Sequence, residues 1–200
     1  MKKLSAVLMT IAAIACSSQA LASYDVTLGK AVTTNGTFGT DQGSWDYYAP
    51  AAASSLTDGV FAPESEQWNL NSVWWNGSTN PDNNILIDLG GIFKISAFNV
   101  QADNNDTYRV EYRLGGGSWV TAYDIPDIAS WGLTTRAVTL TTPIWADALR
   151  FTATGGDGYY SVSEVQAWGD SVNLPEPVNV GLILSGLICL ALIRRNRAHH

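Results

Sequence analysis

The chain reads as an all-β sandwich or jelly roll, and three features of its 200 residues point there. Short β-prone runs alternate with turn-rich segments every 8–12 residues or so, the spacing of antiparallel strands. No window of eleven or more residues carries the 3.6-residue periodicity of an amphipathic helix. Long apolar runs are confined to the two ends, which leaves residues 23–174 to build the fold. That length allows one domain with a sizeable core and no covalent staples.

Taken in order, the strand candidates are 85–89 (Ile-Leu-Ile-Asp-Leu), 95–100, 108–112 (Tyr-Arg-Val-Glu-Tyr), 137–140, 148–152 and 163–168. Each is rich in β-branched or aromatic residues, and several alternate apolar with polar positions. Between them lie 76–84, 102–107, the triple glycine 115–117, 124–131 and the Gly-Gly-Asp-Gly run 155–158, all crowded with turn-forming residues. No internal repeat or linker interrupts 23–174 apart from the small-residue patch 49–55, so a single domain is expected.

Composition removes several kinds of chemistry. Both cysteines, Cys16 and Cys189, and both histidines, His199 and His200, lie in the end segments. A disulfide framework, a Cys-ligated metal, a cysteine nucleophile and histidine-based acid–base or metal chemistry are therefore excluded for 23–174. Six Lys plus Arg face seventeen Asp plus Glu across that stretch, a net charge of −11. With no basic face to meet phosphates, nucleic acid is excluded as a partner.

The two ends indicate export. Lys2-Lys3, an apolar run over 4–15 and the small residues Ala20-Leu21-Ala22 have the form of a signal peptide over 1–22 that is cleaved before Ser23. Lipidation of Cys16 is a competing reading, although the usual leucine three residues before it is missing. At the other end, Pro175-Glu176-Pro177 is followed by the apolar run 178–193 and by Arg194, Arg195 and Arg197. Sixteen residues are slightly short of the ~20 that cross a bilayer, but the arginines supply a cytoplasmic stop. A plain single-span anchor is one reading of residues 175–200. The order of the three parts also resembles the PEP-CTERM sorting signal of exopolysaccharide-producing Gram-negative bacteria. That resemblance implies processing by an exosortase, transient anchoring in the inner membrane through 178–193, and a final place at the cell surface or outside the cell.

Within the domain, Asp25-Val-Thr-Leu-Gly-Lys-Ala-Val-Thr33 resembles the opening of discoidin (coagulation factor 5/8 type C) domains. Leu56-Thr-Asp-Gly59 followed by Trp68, then Ile87-Asp88-Leu89-Gly90, 108–112, Gly116 to Trp119 and Tyr160-Ser-Val-Ser-Glu-Val-Gln166 continue the likeness in order. The resemblance implies a galactose-binding-like jelly-roll β-sandwich of about eight antiparallel strands, and a binding module rather than an enzyme. It also implies that Asp58 and Glu164 approach each other around a structural Ca2+, with backbone carbonyls completing the oxygens. Two departures weigh against this: Trp68 comes ten residues after Asp58, longer than usual, and the expected threonine between them is absent. The alternative is an Asx turn at Asp58-Gly59 and a surface Glu164.

The second acidic cluster, Asp103-Asn-Asn-Asp106, reads as a tight loop, with a cation or sugar hydroxyls as alternatives. Eight tryptophans occupy the domain. Trp119 and Trp168 match family core positions, and Trp68 is expected under the Asp58-Gly59 loop. Trp74 and Trp75 are adjacent in a polar stretch, so in an extended chain they face opposite ways and one is expected near solvent. Those two, with Trp45, Tyr47 and Trp131, are the candidate platforms for sugar rings, and Arg109 and Arg136 are candidate hydroxyl partners. The expectation is an exported, non-enzymatic module that binds carbohydrate, either exopolysaccharide or a cell-surface glycan. A structural matrix or biofilm protein without a specific ligand is the alternative, and a glycan-active enzyme is less favoured because nothing singles out a carboxylate pair.

Overall fold

The protein, in a computed structural model, is described over residues 23–77 and 82–171. The export, lipidation and sorting segments expected over 1–22 and 175–200 lie outside these residues. Eight strands account for the described fold: β1 (Tyr24–Asp25), β2 (Ala31–Asn35), β3 (Val73–Asn76), β4 (Asn84–Asp103), β5 (Thr107–Arg113), β6 (Val120–Ile125), β7 (Leu133–Gly155) and β8 (Tyr159–Ser171). The patch of small residues after Pro50 holds the one helical turn among them, a 3-10 turn over Ala53–Thr57. Every pairing is antiparallel, in the order β1-β8-β4-β7-β5-β6, with β2 on β4 and β3 on β8.

The candidate strands 85–89 and 95–100 prove to be two halves of β4, and 137–140 and 148–152 two halves of β7. These long strands pair along their whole length, but their register slips between Asp88 and Phe93 and again between Ile95 and Ala97. The first slip spans Gly90-Gly91, and Gly90 has φ +68°, where a glycine avoids the clash that a side chain would suffer. Both strands bend there and pass from one layer to the other. The first halves of β4 and β2, β5, β6 and the end of β7 make one layer, and β1, β3, β8 with the remaining halves make the second.

Alternation then buries one side of each layer. Ile85, Ile87 and Leu89 from the first half of β4 meet Ile95, Phe98 and Val100 from its second half. The aromatic centre is Tyr108, stacked on Phe151 at 5.1 Å and edged by Trp75 and Tyr160 at 6.4 and 6.3 Å. Two core expectations fail. Trp168 lies exposed on the outer face of its layer, in register with Ala97. Trp119 is half-buried on the outside of the other layer, with the guanidinium groups of Arg113 and Arg150 each 4.8 Å from its ring centre. On β8 the smaller Val165 and Ala167 fill the interior instead.

The bends give the molecule two distinct ends. Asp103 in register with Leu133, and Thr107 with Gly155, bring loops 104–106, 126–132 and 156–158 together at one end. The bends of β4 and β7, the β5–β6 turn and the last described residue, Ser171, lie at the other.

Candidate functional site

The loop end is held from below. Tyr108, fully buried, donates its hydroxyl to Asp106 Oδ2 at 3.1 Å and accepts the Ser161 amide at 3.1 Å. Asp106 Oδ1 in turn accepts the Asp157 amide at 3.2 Å, and a Cβ at Gly156 would stand only 1.7 Å from that oxygen, so the neighbouring loop can close only on glycine. Arg136, also buried, donates Nη2 to the Asp103 carbonyl at 2.6 Å and lies 5.8 Å from the Tyr108 ring centre. Asn104 ties in the third loop: its carbonyl accepts the Ile128 amide at 2.8 Å and its Nδ2 donates to the Ser130 carbonyl at 2.7 Å. Asn105 Nδ2 donates to Asp157 Oδ2 at 2.8 Å.

On this base sits a cleft of about 140 Å³, walled by Trp45, Trp68 and Trp131 and floored by Asp103, Asn104 and Asp157. Trp45 and Trp131 are 39% and 55% exposed, and their ring centres are 5.6 Å apart at an interplanar angle of 55°. Trp68 is buried against Trp74 and Tyr159. Burial, opposed by the Asn104 amide, raises the Asp103 carboxyl to about 6. Burial together with Asp103 and Asp157 raises Asp106 to about 8, so it keeps its proton at neutral pH. The cleft thus combines two partly free indole faces with carboxylate and amide groups, the partners that sugar rings and hydroxyls require.

The other expected platforms lie elsewhere. Trp74 and Trp75 do face opposite ways, but both are buried, at 0% and 1% exposure, which corrects the expectation that one reaches solvent. Trp75 points into the core. Trp74 points out of its layer and is roofed by the preceding loops, donating Nε1 to the Tyr48 carbonyl at 3.0 Å with Tyr47 and Trp68 at its edges. Tyr47 is exposed but does not line the cleft. Arg109 is not at the cleft either: its outward position on β5 faces β6, where its Nε is 2.6 Å from Asp124 Oδ1. Arg136 is spent on backbone carbonyls.

Asp58 and Glu164 are brought together. The Asp58 carboxylate accepts the Val60 amide at 2.8 Å, the Asx turn of the alternative reading, while the Gly59 amide donates to Glu164 Oε1 at 3.2 Å. Glu164 is nonetheless fully buried rather than a surface acid. Its Oε2 and the nearby Asp25 Oδ2 have no hydrogen-bond partner among the described residues. Burial and Asp58 raise Glu164 to about 8, offset in part by the Gly59 amide and the Gln166 side chain. Among the described residues no group of three or more carboxylate, imidazole or thiolate side chains could hold a metal ion. A cation here would rest on two carboxylates and on carbonyl oxygens.

Sequence reasoning missed Asp157, Trp68 as a cleft wall, and Asp25 beside Glu164. Asp157 had a signal in the Gly-Gly-Asp-Gly turn, whereas Asp25 and Trp68 reach their places only through tertiary pairing.

The fold and the loop-end cleft define a galactose-binding-like jelly roll. The family described as F5/8 type C domain matches residues 32–165, and the chain belongs to that family. A fucolectin from striped bass (Morone saxatilis) serum shares the fold at 13% identity and a TM-score of 0.58, over 78% of this chain and 52% of that one. The family 32 carbohydrate-binding module of Clostridium perfringens NanJ, solved with galactose, is similar at 17% identity and a TM-score of 0.48, covering 74% and 98%. A chitosan-binding module from Paenibacillus sp. IK-5 is similar at 19% and 0.48, covering 73% and 99%. No curated protein sequence matches the chain.

Asp103, Asp106 and Glu164 all hold their protons more tightly folded than unfolded, so the native state binds more protons between about pH 4 and 8. Stability therefore falls as pH rises through that window and levels off above it. Melting temperatures recorded from pH 4 to 9 in chelator will decline in that way, and Asp106→Asn will flatten the decline. A variant curve parallel to the parent's would refute the buried, proton-holding Asp106.

Proposed function

We propose that the chain is an exported, non-enzymatic module that binds carbohydrate, either exopolysaccharide or a cell-surface glycan, at the cell surface or in the extracellular matrix. The observation that carries this is the Trp45–Trp131 pair beside an acceptor-rich cleft. Exposed indoles cost solvation and are placed where a sugar face can cover them. Asp103 and Asp157, which line the cleft, favour neutral or cationic saccharides over acidic ones. Their hydrogen bonds hold the loops in shape, a binding rather than a catalytic use of carboxylates. The family and the fucolectin-like fold are consistent with this reading.

The test is binding to the producing cell's own extracellular polysaccharide. Trp45→Ala/Trp131→Ala will lose about tenfold or more in affinity, roughly 1.4 kcal/mol, with an unchanged melt. Trp75→Ala will instead cost ~3–5 kcal/mol of stability through a core cavity. Full binding by the first variant would move the site away from the cleft. A folded parent that binds no glycan would favour the structural matrix protein.

We also propose that Asp58 and Glu164 hold a structural Ca2+, with backbone carbonyls completing its oxygens. The buried, unpartnered oxygens of Glu164 and Asp25 support it. The ion would offset the repulsion of these carboxylates and fasten the Gly59 loop to β8, supplying no chemistry of its own. Added Ca2+ will raise the melting temperature of the parent and chelator will reverse it, because a ligand of the native state stabilises it. Glu164→Gln will lose that response. A parent melt indifferent to both additions would end the proposal.

For the tail, the reading is a PEP-CTERM-type signal: Pro175, Glu176 and Pro177 recognised by an exosortase, residues 178–193 in the inner membrane, and Arg194 and Arg195 on the cytoplasmic side. Replacing Pro175-Glu176-Pro177 by alanines will leave uncleaved precursor in the membrane. Normal maturation of that variant would refute it.

A further inference from the structure

The chain leaves the domain at a corner that is unusually apolar for an acidic surface. Ser171 is in register with Phe93, and one residue back Asp170 is in register with Lys94, which faces Trp145 on the next strand. Trp168 lies two residues further back on β8, in register with Ala97. Neighbouring strands are about 4.8 Å apart and residues along a strand about 3.3 Å, so both indoles stand within about 10 Å of the exit strand's last residues. Trp145 and Trp168 are exposed, as is Ile92 at the bend of β4 just before Phe93.

Reach makes this corner special. Only residues 172–177 separate Ser171 from the apolar run that starts at Val178. Fully extended, that connection spans at most about 25 Å. A bilayer holding 178–193 must therefore lie within that distance of the corner and cannot reach the loop end first. Indoles favour the headgroup interface, where the ring is half desolvated and the N–H still finds partners, and a lysine between them can keep its ammonium in the headgroup layer. We infer that the corner formed by Ile92, Trp145 and Trp168 rests on the lipid headgroup interface for as long as the chain keeps its tail. This rests on the reading that residues 178–193 cross the bilayer.

The test uses the chain from Ser23 to His200 in vesicles of phosphatidylethanolamine and phosphatidylcholine, with and without acyl chains brominated close to the headgroup. Flotation first shows whether the chain stays with the vesicles. Brominated lipid will quench part of the tryptophan emission. Trp45→Phe/Trp131→Phe will keep that quenching, and Trp145→Phe/Trp168→Phe will lose most of it, with both variants melting like the parent. An inserted parent that is not quenched would overturn the inference and leave the span intact. Quenching lost in the Trp45/Trp131 variant instead would also overturn it, since the domain would then dock by its other end. A chain that fails to float would remove the span and the inference together.

Discussion

The hydroxyl of Tyr108 is the point on which the loop end depends. Its ring fills the centre of the core against Phe151, Trp75 and Tyr160, so its hydroxyl has no access to water and must find partners inside. It finds them in the Ser161 amide and the Asp106 carboxyl, which joins β5, β8 and the turn after β4 at one buried atom. Asp106 then fixes the 156–158 loop through the Asp157 amide. A loop end that would otherwise be three independent connections is thereby anchored to the hydrophobic core, and the cleft inherits its shape from packing rather than from its own residues.

That anchorage has an electrostatic consequence. Burying Asp103 and Asp106 near Asp157 stores repulsion, which the protein relieves at neutral pH by keeping a proton on Asp106. The same solution recurs at Glu164, where Asp58 and Asp25 stand nearby. Both places are built to be stabilised by positive charge, whether a proton, a cation or a cationic sugar. Arg136 neutralises only part of the first cluster, because its guanidinium is aimed at carbonyls rather than carboxylates.

Much of the fold was legible because alternation survives in the strands: Ile85, Ile87 and Leu89, or Tyr108 and Val110, face the core as their spacing requires. What alternation cannot say is whether two runs are one strand, and 85–89 and 95–100 are joined by a bend whose signal, Gly90-Gly91, reads equally well as a turn. The site was less legible for a related reason. Adjacent residues on a strand must face apart, and Trp74 and Trp75 do, but the outward face is covered by a loop that begins some thirty residues earlier. Trp45 and Trp131 are far apart in sequence, and only the folded loops bring their rings to 5.6 Å. Trp168 carried a family signal for the core, but its strand buries the smaller Val165 and Ala167 and turns the indole outward.

The long bent strands also give the molecule a direction. β4 and β7 each start or finish among the loops at one end and bend at the other, and β8 runs from the first end to the second before the chain leaves at Ser171. A strand of thirteen residues at about 3.3 Å each separates the two by roughly 40 Å. Whatever holds the tail therefore holds the domain by the end opposite the Trp45–Trp131 cleft. The cleft therefore faces away from the point where the described chain ends. Moving the tail to the other terminus would not reverse that order, because β1 pairs with β8 beside Trp168 and Gly169, and the domain would still be held from the same side. Both ends of the described chain, Tyr24 and Ser171, thus lie at the end away from the cleft loops, because β1 and the close of β8 share one edge of the same layer.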